Sequence, residues 1–165
     1  MLTAEPLPGR RLRDFLALAA FVLVCLAAGW IGSIATTPAI PTWYAGLTKP
    51  PFNPPNAVFP IVWTILYVLM GVAAWRVWRT GLPEGRTALL PFFIQLALNV
   101  LWSFAFFGAE SPAFGLLVIA LLWIAIAWTI AAFRPVDGPA ALLLVPYLAW
   151  VSFAAVLNAA IWALN

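Results

Sequence analysis

The sequence predicts an all-α membrane protein, a bundle of five transmembrane helices with a proline- and tryptophan-rich lid loop between helices 1 and 2. Three observations carry this. Only 8% of the residues are charged and 65% are hydrophobic, whereas a soluble domain carries about a quarter charged residues. So little charge does not cover a water-exposed surface, and mean hydropathy of +1.05 makes the bilayer the solvent. Five apolar runs, about 15–35, 57–78, 88–108, 112–133 and 140–162, each hold roughly 20 residues, enough to cross a hydrocarbon core of about 30 Å. None alternates with period two, which removes a β-barrel as the other solution lipid permits.

In chain order, residues 1–13 form a polar segment with Pro6, Pro8 and Gly9, expected to be a disordered tail ahead of a single transmembrane domain over 14–165. Arg10, Arg11 and Arg13 before an apolar run resemble a signal peptide, but the run from Phe15 to Ile34 exceeds a usual h-region of about 7–15 residues. It reads as a retained first helix. Cys25 within it has no partner for an internal disulfide and reads as a small packing residue.

The loop that follows holds six of the fifteen prolines between Thr36 and Asn56, and Lys49 is the one charge between Phe15 and Trp75. Such a stretch cannot be continuous helix, and its place between two apolar spans makes it a candidate lid. Asn56 is a candidate cap for the second span, with Pro60 in its first turn. Gly81, Pro83 and Gly85 separate spans 2 and 3. Ser111-Pro112 reads as N-cap and N1 of span 4, and Arg134-Pro135 with Gly138-Pro139 closes it. Pro146 is expected to kink span 5.

Seven arginines (Arg10, Arg11, Arg13, Arg76, Arg79, Arg86, Arg134) fall on one side of a five-span path and Lys49 on the other. Positive-inside counting then puts the N-terminus in the cytoplasm and the C-terminus outside. The same placement accounts for the net charge of +3 without a nucleic-acid partner. Trp75, Trp78 and Trp162 fall near span ends, where aromatic belts are expected. Small pairs four apart, such as Ala28 with Gly32 and Ala155 with Ala159, permit close helix approach, within the chain or in a homodimer.

There is no histidine, and one cysteine and five carboxylates are scattered. That excludes histidine triads and leaves no metal-ligand spacing. What remains is aromatic and amide chemistry on three helical stripes: Phe59, Trp63, Tyr67 and Met70; Gln95, Asn99, Trp102 and Phe106; Tyr147, Trp150, Ala154 and Asn158. Each set shares one face. Amides facing lipid are costly, so these point inward, either as glue between helices or into a cavity. Converging beneath the lid, the stripes fit a pocket for a flat hydrophobic ligand held by stacking. Lys49 is placed to meet a ligand carboxylate, a lipid headgroup or Glu110.

The strings WYAGLTKPPFNPPNAVFPIVWTILYVLMG, QLALNVLWSFAFFG and LLLVPYLAWVSFAAVLNAAIW resemble the TspO/MBR family, the tryptophan-rich sensory and translocator proteins. The resemblance runs from about Pro38 to Asn165. It implies a five-helix bundle, often dimeric, that binds porphyrins and in some members sterols and benzodiazepine-site ligands. It implies pocket positions at Trp43, Trp63, Asn99, Trp102, Trp150 and Ala154, with Pro54 and Pro55, alongside Lys49 and Pro50, shaping the lid. Phe52 departs from the tryptophan usual there. The end VLNAAIWALN lacks the Tyr and following Arg of a sterol-recognition pattern, itself a weak motif. Without histidine as axial ligand, metal-free porphyrin is the better expected ligand. The resemblance thus implies a non-enzymatic tetrapyrrole sensor or transporter. Light-dependent porphyrin breakdown, with the chemistry carried by the ligand, and a structural membrane subunit are the alternatives.

Overall fold

A computed structural model describes residues 8–165, and among them there is helix, turn and loop but no strand. Seven α-helices are described, and all but the short α2 belong to five spans: α1 (Pro8–Ala39), α2 (Trp43–Gly46), α3 (Val58–Arg79), α4 (Pro83–Ser103), α5 (Pro112–Phe133), α6 (Gly138–Leu143) and α7 (Val145–Leu164). α6 and α7 share the fifth span, and all five are long and apolar enough to cross a bilayer. In lipid only a helix satisfies its own backbone along the whole crossing, and these sequences comply.

The spans close a ring. α1 packs along both α3 and α4, α4 along α5, α5 along α7, and α6 returns the chain to α3. Glycines set the closest approaches. A Cβ on Gly71 of α3 would lie 2.6 Å from the Val22 Cα of α1, and one on Gly29 would lie 2.4 Å from the Tyr67 ring. Such contacts carry helix association where lipid removes most of the hydrophobic drive.

Several boundaries differ from the sequence expectation, each for a physical reason. Residues 1–7 of the expected tail lie outside the described residues, but 8–13 extend α1 rather than forming a disordered segment. Pro8 suits the first turn, where no N–H is needed, and the segment docks. Trp75 Nε1 donates to the Asp14 carbonyl at 3.0 Å, and the Arg13 guanidinium lies 5.9 Å from the Trp78 ring centroid. Asn56 does not cap α3. Ala57 holds that position without a side-chain bond, and Val58 N instead bonds Pro55 O at 2.9 Å. Ser111 does cap α5, its Oγ accepting from Phe114 N at 3.2 Å. The kink expected at Pro146 appears as a break at Leu144, because Pro146 supplies no N–H for the Leu142 carbonyl one turn earlier.

Two further devices fix the arginine-rich end. Asp137 accepts from Ala140 N at 2.8 Å, capping α6, and pairs with Arg76 of α3 at 3.1 Å. Gly81, at φ +70°, makes the left-handed turn between α3 and α4 that a residue with a Cβ adopts only under strain.

Gly71→Ala is expected to lower stability by about 1–3 kcal/mol, since the added methyl meets Val22 backbone rather than a movable side chain. Gly46→Ala, with nothing within 4 Å of the new atom, serves as the control. Reversible unfolding of both variants in mixed micelles checks this, and equal stabilities would contradict the close α1–α3 packing.

Candidate functional site

Above the tight α1–α3 contact the bundle opens into a cavity of about 450 Å³ between α1, α3, α4 and α7, beneath the Lys49 loop. That volume lies in the range of small-molecule sites. Its α3 wall is Phe59, Trp63 and Tyr67, and its α7 wall includes Ala154, Leu157 and Asn158. The α4 side offers Asn99, Trp102 and Ser103.

Past Ser103, the chain continues in a π-helical turn, Phe104–Gly108, with Ala109 N bonding Phe104 O at 2.7 Å. The wider turn brings the neighbouring Phe106 and Phe107 both to the cavity. Phe106 stacks on Trp102, with centroids 5.5 Å apart and planes 24° from parallel. The rings therefore present flat surfaces with few polar interruptions, a site suited to stacking on an aromatic ligand.

The polar groups are held by a chain of bonds across three helices. Tyr67 OH donates to Asn99 Oδ1, Asn99 Nδ2 donates to Tyr147 OH at 2.9 Å, and Tyr147 OH donates to Gln95 Oε1 at 2.9 Å. A second set lies nearer the loop. Trp102 Nε1 donates to Asn158 Oδ1 at 3.3 Å, and Asn158 Nδ2 donates to the Pro112 carbonyl at 2.7 Å. That bond ties α7 to the first turn of α5, using a second lone pair of a carbonyl that also belongs to the helix ladder.

Of the stripe and pocket residues singled out in the sequence, Phe59, Trp63, Tyr67, Asn99, Trp102, Phe106, Ala154 and Asn158 line the cavity. Five others do not, and of these Met70 and Gln95 are buried in the core. Trp43 stands behind the wall with its ring 5.4 Å from Phe106. Tyr147, fully buried, supports Asn99 from below. Trp150 turns aside to Phe59 and Phe153, with centroids at 5.9 and 5.4 Å, and borders a separate apolar groove between α3 and α7.

The lid also differs from expectation. Lys49, Pro50, Phe52, Pro54 and Pro55 are not in the cavity wall, and its roof is Tyr44 with Asn56. Lys49 Nζ donates to Leu47 O at 3.0 Å and sits 4.6 Å over the Tyr44 ring, so the loop itself holds the cation rather than Glu110. Phe52 packs edge-on to Phe153 at 6.4 Å. Tyr44 OH donates to Asn53 Oδ1 at 3.0 Å. Burial pushes the Tyr44 phenol above its ordinary range, partly offset by that bond, so it stays a neutral donor.

Sequence reasoning missed the α1 wall. Gly29, Ser33, Thr36 and Ile40 line the cavity at i, i+4, i+7 and i+11, a stripe of the same kind as the three others. Exposed Trp30, Pro60 and Thr64 also border it, so the cavity has a lateral side between α1 and α3. It missed, too, that Asn165 clasps the loop. Its Oδ1 accepts from Thr48 N at 2.9 Å and its Nδ2 donates to Thr48 O at 3.0 Å, both bonds of a backbone-like pair made by one side chain. Among the described residues no group of three metal-ligating side chains occurs.

Residues 21–163 match the TspO/MBR family. The chain is 48% identical over 155 residues to the tryptophan-rich protein TspO of Chlorobaculum tepidum, covering 93% of this chain and 98% of that one. It is 44% identical over 143 residues to the tryptophan-rich sensory protein of Cereibacter sphaeroides, covering 84% and 87% of the two chains. With the translocator protein of Homo sapiens the figure is 42% over 123 residues, covering 73% of each.

Asn165→Ala removes both bonds to Thr48 and is expected to raise amide hydrogen exchange at Thr48 about tenfold, the worth of one or two net hydrogen bonds. Unchanged exchange across residues 47–56 would show that loop packing alone holds the roof.

Proposed function

The chain belongs to the TspO/MBR family of multi-pass integral membrane proteins, and from that premise we propose that it binds a porphyrin or related tetrapyrrole within the bundle, as a sensor or transporter. The observation that carries this is the cavity itself, about 450 Å³ walled by Phe59, Trp63, Tyr67, Trp102 and Phe106. A macrocycle is flat, apolar on both faces and polar at its centre and carboxylate rim. Stacked rings take the faces, and Asn99, Ser103 and Asn158 meet the polar atoms without presenting a fixed charge.

The relatives' names agree with a role in sensing or translocation rather than in chemistry. No side chain at the cavity is a nucleophile paired with a base, so acid–base or covalent catalysis has no agent there. On the proposed orientation, with the arginine-rich end in the cytoplasm, the roof and the Lys49 loop face the outer side. A lateral side toward lipid, between α1 and α3, gives a hydrophobic ligand a path that avoids water.

The test is a titration of protoporphyrin into the purified protein, following tryptophan fluorescence in the dark. Saturable quenching is expected, with Trp63→Ala and Trp102→Ala each weakening affinity by about 1–3 kcal/mol, as loss of a stacking platform does. Trp150→Ala is expected to change affinity less, since that ring borders the other groove. Linear quenching, the same in every variant, would mean partitioning into the micelle and would sink the reading. Illumination of the complex adds a further outcome: a new absorbing product made only by folded protein would turn the ligand into a substrate.

A further inference from the structure

We propose that Gln95, which does not line the cavity, sets the hydrogen-bonding polarity that the cavity offers its ligand, by reversing the chain of phenols and amides that leads to it. The inference rests on the reading of this cavity as a ligand site, though not on the ligand being a tetrapyrrole.

The chain has a direction. From the cavity inward, Tyr67 donates to Asn99, Asn99 to Tyr147, and Tyr147 to Gln95 Oε1. Tyr67 and Asn99 face the cavity, while Tyr147 and Gln95, 0% and 1% exposed, stand behind them. In this direction the hydroxyl hydrogen of Tyr67 is used within the protein, and only its oxygen remains for a ligand. The cavity then offers an acceptor, matched to a ligand N–H.

The direction leaves one fault. Gln95 Nε2 is buried and has no partner, and a buried N–H without an acceptor is among the rarest defects in folded proteins. Turning both amides over repairs it. Gln95 Nε2 then donates to Tyr147 oxygen, Tyr147 donates to Asn99 Oδ1, and Asn99 Nδ2 donates to Tyr67 oxygen. Every heavy atom stays near its place, because the two ends of an amide have nearly the same shape.

In the reversed direction the orphan is the Gln95 carbonyl, which burial tolerates better than an orphan N–H. The Tyr67 hydrogen is now free to point into the cavity, where it lacks a partner until a ligand oxygen or imine nitrogen arrives. Each direction thus leaves one donor unmatched, at opposite ends of the chain. A ligand that brings an acceptor satisfies the second direction, and one that brings a donor favours the first. Chains of this kind move as a unit, since each hydroxyl both accepts and donates.

Gln95→Leu makes the choice one-sided. Without Gln95 Oε1, the inward direction strands the Tyr147 hydrogen, whereas the outward direction gives it Asn99 Oδ1. The variant is therefore held with the Tyr67 hydrogen facing the cavity. Gln95→Met has the same effect with an unbranched side chain, should the leucine variant fold poorly.

The experiment uses two flat tricycles of nearly the same outline, fluorenone with a carbonyl and carbazole with an N–H, titrated into full-length protein. In Gln95→Leu fluorenone binds more tightly and carbazole more weakly than in wild type, so that their affinity ratio rises about tenfold, the worth of one hydrogen bond gained and one lost. With Tyr67→Phe as background, the same substitution leaves the ratio unchanged. A merely structural role for Gln95 would weaken both probes together.

An unchanged ratio in Gln95→Leu and Gln95→Met overturns the proposal, as does a shift that persists without the Tyr67 hydroxyl. Wild-type protein that binds neither tricycle saturably overturns it as well. Protein that binds both tricycles but not protoporphyrin loses the tetrapyrrole assignment and keeps this one.

Discussion

The bonds among Tyr67, Asn99, Tyr147 and Gln95 are the constraint on which the rest of the bundle depends. In a bilayer the lipid is as apolar as the side chains, so burying leucine between helices gains little, and association rests on packing and on polar groups that have nowhere else to go. Two amides and two phenols on three helices bond one another at the centre, leaving only one end of the Gln95 amide without a partner, and so fix the rotation of α3, α4 and α7 about their own axes. Asn158 repeats the device toward the loop, joining α7 to Trp102 of α4 and to the first turn of α5. The first span is attached differently. It presents Gly29 and Gly32 to Tyr67 and Ser103, and it receives Gly71 of α3 against Val22. Beyond the Trp75–Asp14 bond at its start, shape does for α1 what hydrogen bonds do for the other helices.

The cavity follows from that division. Below it, small residues let α1 and α3 touch. Above it, the large rings of Phe59, Trp63, Trp102 and Phe106 hold the helices apart, and the space between them is floored by the amide–phenol chain and roofed by Tyr44. Its amides therefore lie at the floor and at Asn158, with aromatic walls on α3 and α4 and hydroxyls along α1. The π-helical turn belongs to the same design, since it delivers two consecutive phenylalanines to one site while ending α4 beside the loop.

Much of this was legible from the residues. The spans were, because length and hydropathy alone answer to the bilayer, and the three stripes were, because a period of 3.6 holds wherever a helix is regular. The differences arise where regularity stops. Phe107 reaches the cavity through a π turn that shifts the phase, and Trp150 points elsewhere because its ring turns to Phe59 and Phe153 in the second helix of a broken span. The α1 stripe went unread because Ser33 and Thr36 bond their own backbone, at 2.6 and 3.1 Å, and hydroxyls satisfied in this way sit in a hydrophobic run without a visible cost. The start of α1 depends on Trp75 and Trp78, and the clasp of Asn165 on Thr48 spans 117 positions. No local pattern encodes contacts of that range. In the loop, the prolines shape the path while Tyr44 and Asn56 meet the cavity, so composition pointed to the segment and not to its contact residues.

On the proposed function a flat aromatic ligand lies in the cavity beneath the loop, against Trp63 and Trp102. Fluorine NMR of protein carrying fluorotryptophan at all ten tryptophans, each resonance assigned by a single substitution, locates it. Added protoporphyrin is expected to shift the Trp63 and Trp102 resonances saturably, leaving the lipid-facing Trp123, Trp128 and Trp162 unmoved. Shifts confined to those three outer residues would place the ligand in the lipid around the bundle and contradict the account.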